Sequence, residues 1–228
     1  MIKLFKTISL IMALLALIAI LIILPATLLG IISSWKVILL SISYFCFFLG
    51  TIWRVIRYGE LVSRKEDRQV ETKSGRIASL ITVIGLIIAH WLTLFTFSLQ
   101  SQVVNKNIDL FIIISSIFLI STAIIVSQLA IVTLGKFFDR LTIKVDHQLV
   151  TNGIYSLIRH PIYTSYILLF LGFCLMLQSL LGFSLLLTVC LIWFGKRINI
   201  EEKMLQEKFG EDYQYYSQKT KRLFPYIY

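Results

Sequence analysis

The feature that most constrains this chain is a stretch of 33 consecutive residues without a charge, from Ile162 to Phe194. As one straight α-helix it would extend about 50 Å, which exceeds the ~30 Å of hydrocarbon in a bilayer. The Gln178-Ser179 pair and Gly182 lie near its middle, where a tight turn is expected. The stretch is therefore predicted to form two short membrane helices that make a hairpin.

Four further apolar segments precede this stretch, and each is close to the roughly 20 residues needed to cross a bilayer. They run over Ile8–Leu24, Val37–Trp53, Ile77–Leu99 and Leu110–Leu134. Pro25 closes the first segment, which lacks the small-x-small cleavage site of a signal peptide and is predicted to remain as a membrane helix. The predicted fold class is therefore all-α, an integral membrane protein of about six transmembrane helices.

The distribution of basic residues predicts how these helices are oriented. Of the 22 Lys and Arg residues, twenty lie in the N-terminus and in the polar segments Arg54–Arg76, Lys136–Arg159 and Lys196–Arg222. The loops expected on the other side contain only Lys36 and Lys106. Because basic loops stay on the cytoplasmic side, both termini are predicted to be cytoplasmic, in a bacterial cytoplasmic membrane or in the endoplasmic reticulum. The net charge of +10 thus reflects membrane topology, and no nucleic-acid partner is expected.

The chain is expected to divide into two parts. Residues 1–135 would hold the first four helices and a cytoplasmic loop at 54–76, and residues 136–228 would hold the catalytic region. Between Glu201 and Ser217, apolar side chains recur at helical spacing, which predicts a cytosolic amphipathic helix with a possible break at Gly210. The three cysteines lie in apolar runs, and no Cys/His cluster has metal-ligand spacing, so no metal site is predicted.

Polar side chains that can carry chemistry concentrate directly before and directly after the predicted hairpin. The first cluster begins at the turn-forming Thr151-Asn152-Gly153 and contains Tyr155, Arg159, His160, Pro161 and Tyr163. The second contains Lys196, Arg197, Glu201 and Glu202; Arg197 and Glu201 are four residues apart and share a helix face. A hairpin would bring both clusters to one membrane surface and form a pocket open to cytosol and bilayer. On spacing alone, the alternative that these charges only anchor helix ends and solvate the tail stays open.

The ordered motifs in this region resemble the isoprenylcysteine carboxyl methyltransferases, a family of membrane methyltransferases related to the phospholipid methyltransferases. The resemblance extends over His147–Pro225. Its pieces are LVTNGIY from Leu149, RHPIY from Arg159, RINIEEKML from Arg197, FGEDYQYY from Phe209 and RLFP from Arg222. One departure is Ser165, which stands where the family usually has a glycine.

This resemblance implies S-adenosylmethionine as the methyl donor and assigns expected roles to individual residues. Arg197 and Glu201 are expected to be catalytic, and Arg197 and Arg159 to bind the substrate. The residues expected to bind the cofactor are His147, Gln148, Leu149, Val150, Tyr155, His160, Pro161, Ile162, Tyr163, Glu201 and Glu202. Glu201 would pair with the donor's ammonium group, aromatic side chains would favour its sulfonium by cation–π attraction, and Arg197 would hold a carboxylate.

The family implies direct methyl transfer to a carboxylate oxygen of a lipid-linked substrate, such as an isoprenylated C-terminal cysteine. A carboxylate is ionised at neutral pH, so no general base is needed, and alignment and water exclusion would supply the catalysis. The lipid part of the substrate would enter from the bilayer.

Three alternatives remain at this point. Sterol-type membrane reductases share an RHPxY-like element and end like Phe224–Tyr228, but the paired glutamates would repel the 2′-phosphate of NADPH. A phospholipid N-methyltransferase would use the same donor on an amine, which does not favour Arg197 at the acceptor. A non-enzymatic scaffold is the third alternative.

Overall fold

The computed structural model describes residues 2–58, 73–102, 110–135 and 148–225, and its regular elements are helical. These elements are α1 (Ile2–Ile18), a π-helical turn (Ala19–Ile23), α2 (Leu24–Leu28), α3 (Trp35–Tyr58), α4 (Lys73–Gln102), α5 (Leu110–Leu134), a 3-10 turn (Gly153–Ser156), α6 (Pro161–Met176), α7 (Leu180–Phe209) and α8 (Glu211–Lys219). No β-strand forms within these ranges, where one isolated bridge joins Ile158 to Lys221. The predicted all-α class is therefore confirmed. His147, residues 59–72 of the predicted loop and the last three residues lie outside the described ranges.

Five segments within the described ranges are long and apolar enough to cross a membrane. They are Leu4–Leu28, Trp35–Tyr58, Ser79–Gln100, Leu110–Leu134 and Leu180–Phe209, and the fourth has the bounds that the sequence predicted. The apolar helix α6 has 16 residues. At 1.5 Å per residue it extends about 24 Å, somewhat less than the ~30 Å hydrocarbon core. The chain thus has the helices of an integral membrane protein, and the predicted count of six crossings depends on α6.

The first membrane segment continues beyond Pro25, where the sequence predicted its end. Proline has no backbone N–H and clashes with the preceding turn of an α-helix, so the helix must adjust before it. The adjustment is the π-helical turn, after which the N–H of Leu24 donates to the carbonyl of Ala19. Pro25 then occupies the first turn of α2, where a missing N–H removes no helical hydrogen bond. The segment consequently extends to Leu28.

Helix α3 is held close to α5 by a polar side chain inside an apolar contact. Gln128 of α5 donates hydrogen bonds from its amide to the carbonyls of Cys46 and Phe47, at 3.1 and 3.2 Å. A Cβ at Gly50, one turn further along α3, would collide with the same Gln128 amide. The absence of a side chain at Gly50 therefore allows the two helices to approach. In addition, α6 packs closely against α5, and α7 packs against α4 and α6.

The turn between α6 and α7 lies at the Gln178-Ser179 pair. Gln178 adopts a left-handed backbone conformation with φ of 55°, and the Ser179 hydroxyl accepts the N–H of Gly182 at 3.0 Å as an N-cap. From there α7 runs without interruption to Phe209, so the expected boundary between a sixth span and a separate helix at Glu201 is absent. Neither glycine nor proline occurs between Glu201 and Gly210, whose φ of 52° ends α7 and starts α8.

We expect Gly50→Ala to destabilise the bundle, because the added methyl group would displace the Gln128 amide from its two carbonyl acceptors. A loss of about 1–3 kcal/mol is typical of overpacking in a close contact. Gly195→Ala is the matched control, since a Cβ at Gly195 would meet nothing within 4 Å. Thermal unfolding of the purified protein in detergent would show a lower midpoint for Gly50→Ala only. Equal midpoints for both variants would contradict this account of the α3–α5 contact.

Candidate active site

A glycine turn places Tyr155 at the start of the site. Gly153 has φ of 56°, and a Cβ there would lie 3.1 Å from the hydroxyl of Thr133 on α5, so both conformation and space favour glycine. The 3-10 turn that follows buries Tyr155, whose carbonyl accepts the hydroxyl of Tyr216 at 2.7 Å. Burial raises the pKa of the Tyr155 phenol well above its ordinary value. The Tyr155 side chain is therefore neutral and held in a fixed position.

The segment with Arg159 and His160 is joined to the C-terminal segment by main-chain hydrogen bonds. The N–H of Arg159 donates to the carbonyl of Lys221 at 2.8 Å, and that of His160 donates to Arg222 at 3.0 Å. One turn into α6, the Thr164 hydroxyl donates to the carbonyl of Leu223 at 2.6 Å. Three consecutive residues near the end of the chain thus form part of the framework of the site.

Glu202 is the ionic centre of this framework. Its carboxylate accepts Nε of Arg159 at 2.9 Å and lies 2.7 Å from Nη2 of Arg222 and 3.3 Å from Nε2 of His160. Arg159 also donates to the carbonyls of Ser217 and Thr220. Its side chain is only 9% exposed, so these contacts are shielded from bulk water. Glu202 therefore connects α7, the segment before α6 and the C-terminal segment.

His160 lies between the two neighbouring glutamates. Its Nδ1 is 3.5 Å from Oε2 of Glu201, and its Nε2 faces Glu202. Burial opposes protonation of the ring, but the carboxylates of Glu201 and Glu202 outweigh it, and the pKa of His160 is raised above its ordinary 6.5. The two carboxylates thus favour the cationic form of the imidazole that lies between them.

One oxygen of the Glu201 carboxylate has no hydrogen-bond partner within the described residues. Its Oε2 is buried but makes no hydrogen bond within the described residues, since the 3.5 Å approach of His160 is an ion-pair distance. The indole N–H of Trp193 and the hydroxyl of Tyr213 are also buried without a hydrogen bond within the described residues. Such atoms are costly to bury unless a partner is supplied. All three residues line one cavity, so a polar ligand there would satisfy them.

This cavity has a volume of about 670 Å³ and contains most of the residues that the sequence singled out. Pockets for small-molecule ligands commonly measure about 300–1,000 Å³. The predicted residues that line it are Leu149, Val150, Tyr155, Arg159, His160, Pro161, Ile162, Tyr163, Arg197 and Glu201. Gln148 is exposed and is not among the lining residues, and Glu202 lies behind His160 and Arg159 rather than on the wall. His147 is outside the described residues.

The aromatic side of the cavity is continuous. The ring of Tyr163 lies 5.8 Å from His160 and 5.1 Å from Phe194, and Trp193 stacks on Phe194 with centroids 5.6 Å apart. The guanidinium of Arg197 lies 5.3 Å from the Trp193 ring centroid, a cation–π distance. No ion pair to Arg197 is present among the described residues, so its charge is available to an anion.

The N-terminal helices supply the rest of the wall, and the sequence did not predict this contribution. Leucines of α1 and of the π-helical turn, with apolar side chains of α3 and α4, extend the cavity away from the charged end; they are Leu10, Leu14, Leu17, Leu21, Phe48, Val55, Val83, Leu86 and Ile87. The buried Tyr44–His90 pair closes this arm with a hydrogen bond of 2.7 Å. Arg54 of α3 and Tyr213 of α8 also line the cavity. Tyr213 belongs to the FGEDYQYY motif, but no motif marked the lining residues of the N-terminal helices, because their arrangement depends on helix packing.

Comparison with known proteins agrees with the resemblance of the motifs. The family model described as phospholipid methyltransferase matches residues 106–212. A probable protein-S-isoprenylcysteine O-methyltransferase of Oryza sativa subsp. indica is 35% identical over 106 residues, which are 45% of this chain and 56% of that protein. Protein-S-isoprenylcysteine O-methyltransferase B of Arabidopsis thaliana is 33% identical over 45% of this chain and 54% of its own. The match thus spans about half the length of these curated relatives.

A solved structure extends the comparison to nearly the whole chain. The eukaryotic intramembrane Ras methyltransferase, an isoprenylcysteine carboxyl methyltransferase, superimposes with a TM-score of 0.54 and covers 93% of this chain and 75% of that one. At 21% sequence identity this likeness concerns the fold. The resemblance to the isoprenylcysteine carboxyl methyltransferases is confirmed, by sequence over 45% of the chain and by fold over 93% of it.

We expect Glu202→Gln to destabilise the site strongly, because it leaves the shielded guanidinium of Arg159 without its carboxylate. Breaking a buried ion pair on one side commonly costs about 3–5 kcal/mol. Glu207→Gln on the same helix is the control, since Glu207 and its partner Lys203 are 67% and 79% exposed. Thermal unfolding in detergent should separate the two variants clearly, and similar small effects would count against Glu202 as the ionic centre.

The raised pKa of His160 predicts a dependence of stability on pH. Since the folded state binds the proton more tightly than the unfolded state, the stabilisation is complete below pH ~6.5 and is lost as pH rises through the folded pKa. The unfolding midpoint should therefore fall as the pH is raised above about 6.5. In His160→Asn this part of the pH dependence should disappear. A wild-type profile that matches the variant's would contradict a raised pKa of His160.

Proposed function

We propose that this chain is a membrane methyltransferase that uses S-adenosylmethionine to O-methylate the carboxylate of a lipid-linked substrate, such as an isoprenylated C-terminal cysteine. The observation that carries the proposal is the cavity itself, which joins a charged end at Glu201 and Arg197 to an apolar arm between α1, α3 and α4. The names of the curated relatives, protein-S-isoprenylcysteine O-methyltransferases, support it.

The residues at the charged end fit S-adenosylmethionine. Glu201 offers a buried oxygen without a hydrogen-bond partner in the described residues, which suits the ammonium group of the donor. The rings of Tyr163 and Phe194 suit a sulfonium cation. The Tyr213 hydroxyl and the Trp193 indole N–H add two donors. When bound, this cofactor supplies an electrophilic methyl group on positively charged sulfur.

The chain's own contribution would be orientation and charge. Arg197, resting on the Trp193 ring, would hold the acceptor carboxylate by its guanidinium fork. The carboxylate is already ionised at neutral pH, so no side chain has to remove a proton. Helix α8, which buries Tyr213 and Tyr216, would limit the access of water. Burial raises the pKa of the Tyr216 phenol to about 12, so it stays a neutral hydrogen-bond donor.

Two of the predicted roles are refined in this proposal. Arg159 was predicted to bind the substrate, and Glu202 to bind the cofactor. Their contacts are with each other, with His160 and Arg222 and with C-terminal carbonyls. We assign both of them to positioning of the neighbouring His160 and Glu201, which face the cavity.

The membrane arrangement is also part of the proposal. We assign α6 as a short crossing paired with α7, which gives six crossings, with residues 1–135 providing four of them. The basic loops support a cytoplasmic position for the termini and for the charged end of the cavity. The acceptor's lipid would then approach through the bilayer and the methyl donor through the cytosol.

The competing activities fit the cavity less well. An amine acceptor, as in phospholipid N-methylation, would place a cation near Arg197 and Arg54. NADPH would place its 2′-phosphate near Glu201 or would leave the buried carboxylate oxygen without a partner. A carboxylate acceptor matches the positive charge of Arg197, and a cationic methyl donor matches the negative charge of Glu201.

We expect Glu201→Gln to weaken binding of S-adenosylmethionine at least tenfold, because a charge-assisted hydrogen bond is worth about 1.5–3 kcal/mol. Isothermal calorimetry on the detergent-purified protein measures this, with Glu207→Gln as the control on an exposed face of the same helix. NADPH is titrated in parallel. Unchanged affinity in Glu201→Gln, or saturable binding of NADPH, would contradict the proposed function.

A further inference from the structure

The apolar arm of the cavity has a floor, because three helices stop lining it at the same level. On α3, α4 and α6 the residues that line the arm furthest from the charged end are Tyr44, His90 and Phe170. About one turn further along the same helices, the side chains are fully buried and are not among the lining residues; they are Leu40, Leu94 and Phe173. A closely packed layer therefore lies beneath the arm.

The centre of this floor is the Tyr44–His90 pair, whose hydrogen-bond donors are all used within the protein. Nδ1 of His90 lies 2.7 Å from the carbonyl of Leu86, which can only accept, so Nδ1 carries the hydrogen. An imidazolium would be costly among buried apolar rings, so Nε2 is an acceptor, and the Tyr44 hydroxyl donates to it at 2.7 Å. No N–H or O–H of the pair is left for a ligand, and the pair acts on a ligand through its shape.

Aromatic contacts hold both rings in place. The ring centroid of His90 lies 4.8 Å from that of Phe173 and 5.3 Å from that of Phe170. The Tyr44 ring meets Phe173 edge to face, with centroids 5.8 Å apart. Each ring of the pair is thus fixed by a hydrogen bond and by neighbouring rings, so the floor cannot yield through a simple side-chain rotation.

The first membrane segment is joined to the floor at the same level. The indole N–H of Trp91, next to His90 on α4, donates to the carbonyl of Ile20 at 2.9 Å. Ile20 belongs to the π-helical turn, which also supplies the lining residue Leu21. The floor is therefore connected to the N-terminal wall as well as to α3, α4 and α6.

A fixed floor gives the arm a definite depth. Along α3 the lining extends from Val55 to Tyr44, which corresponds to about 16 Å at 1.5 Å per residue. Each isoprene unit that a lipid chain places in the arm adds buried apolar surface. A chain longer than the arm has to fold back or displace the packed layer, and both are unfavourable.

We propose that the Tyr44–His90 pair limits the length of the lipid chain on the acceptor. The inference rests on the proposed function and adds a pair of specificity-determining residues from the N-terminal half of the chain. The pair lies at the opposite end of the cavity from Arg197 and Glu201 and is remote from the reacting atoms. It therefore determines which acceptor is preferred and does not take part in methyl transfer.

The test uses acceptors that differ only in chain length. They are N-acetylcysteines with geranyl, farnesyl, geranylgeranyl or geranylfarnesyl groups on sulfur, which contain two to five isoprene units. Methylation by the full-length protein is measured in detergent at saturating S-adenosylmethionine. In the wild type, kcat/KM should rise to an optimum chain length and fall at the next longer acceptor, because the additional unit meets the floor.

Two double variants separate the depth of the floor from its polarity. Tyr44→Phe/His90→Leu replaces both partners by apolar side chains of similar size and should keep the wild-type optimum. Tyr44→Ala/His90→Leu differs from it only by the missing ring and should move the optimum to a longer chain. The ratio of kcat/KM for the longer acceptor to that for the wild-type optimum should rise about tenfold or more, since one methylene in an apolar pocket is worth roughly 10–200-fold.

Three results would overturn the inference. These are a wild-type kcat/KM that does not fall anywhere in the series, an unchanged optimum in Tyr44→Ala/His90→Leu, and a shifted optimum in Tyr44→Phe/His90→Leu. If the alanine variant does not fold, Tyr44→Leu/His90→Leu replaces it, with a shift in the same direction expected and an unchanged optimum again contradicting the floor.

Failure of the proposed function gives a different result. Wild-type protein that methylates none of the four acceptors would refute that function, and the floor is then tested by calorimetric binding of the same acceptors to the same variants. An affinity optimum that moves only in the variant without the ring would support the floor, and an optimum that stays in place would overturn it. Wild-type protein that binds none of the four would overturn both.

Discussion

The ion pairs of Glu202 are the interaction on which the site depends. One carboxylate joins Arg159 and His160, which precede α6, to Arg222 near the end of the chain, while Glu202 itself lies on α7. Three segments that are distant in sequence are thereby held in one arrangement. The neighbouring Glu201 can then face the cavity with an oxygen that makes no hydrogen bond in the described structure. Consecutive residues of an α-helix are about 100° apart around its axis, so Glu201 and Glu202 point to different sides of α7.

This division explains why both glutamates occur together in a membrane protein. A single carboxylate could not both neutralise the largely shielded Arg159 and remain available to a ligand. His160 connects the two functions because its ring lies between the carboxylates and its main chain is joined to Arg222. The C-terminal segment is consequently a structural part of the site, although it contributes no residue to the cavity wall in the described range.

Much of this organisation could be predicted from the sequence because membrane helices and short motifs are local signals. Leu110–Leu134 has the predicted bounds. The predicted site residues that line the cavity extend from Leu149 to Glu201. Glu202 does not line it, because its carboxylate binds Arg159. The end predicted at Pro25 was wrong because a π-helical turn accommodates the proline, which hydropathy does not show. Similarly, α7 continues past Glu201 because neither glycine nor proline occurs between Glu201 and Gly210.

The contribution of the N-terminal helices could not be predicted in this way. The leucines of α1 line the cavity because of how α1 packs against α3, and Arg54 reaches it because Gly50 and Gln128 bring α3 against α5. These are contacts between residues far apart in the chain, and no spacing within a single helix encodes them. The cavity therefore combines a motif-rich C-terminal end with an apolar arm that only the fold reveals.

The most direct test of the account is methyl transfer by the purified wild-type protein in lipid vesicles, with methyl-labelled S-adenosylmethionine and N-acetyl-S-farnesylcysteine. The account predicts a labelled lipid product that releases its label as methanol on mild base treatment, because only a carboxyl ester is cleaved in this way. Label that stays in the lipid after base treatment would indicate methylation of another group, and no transfer to the lipid at all would contradict the proposed activity.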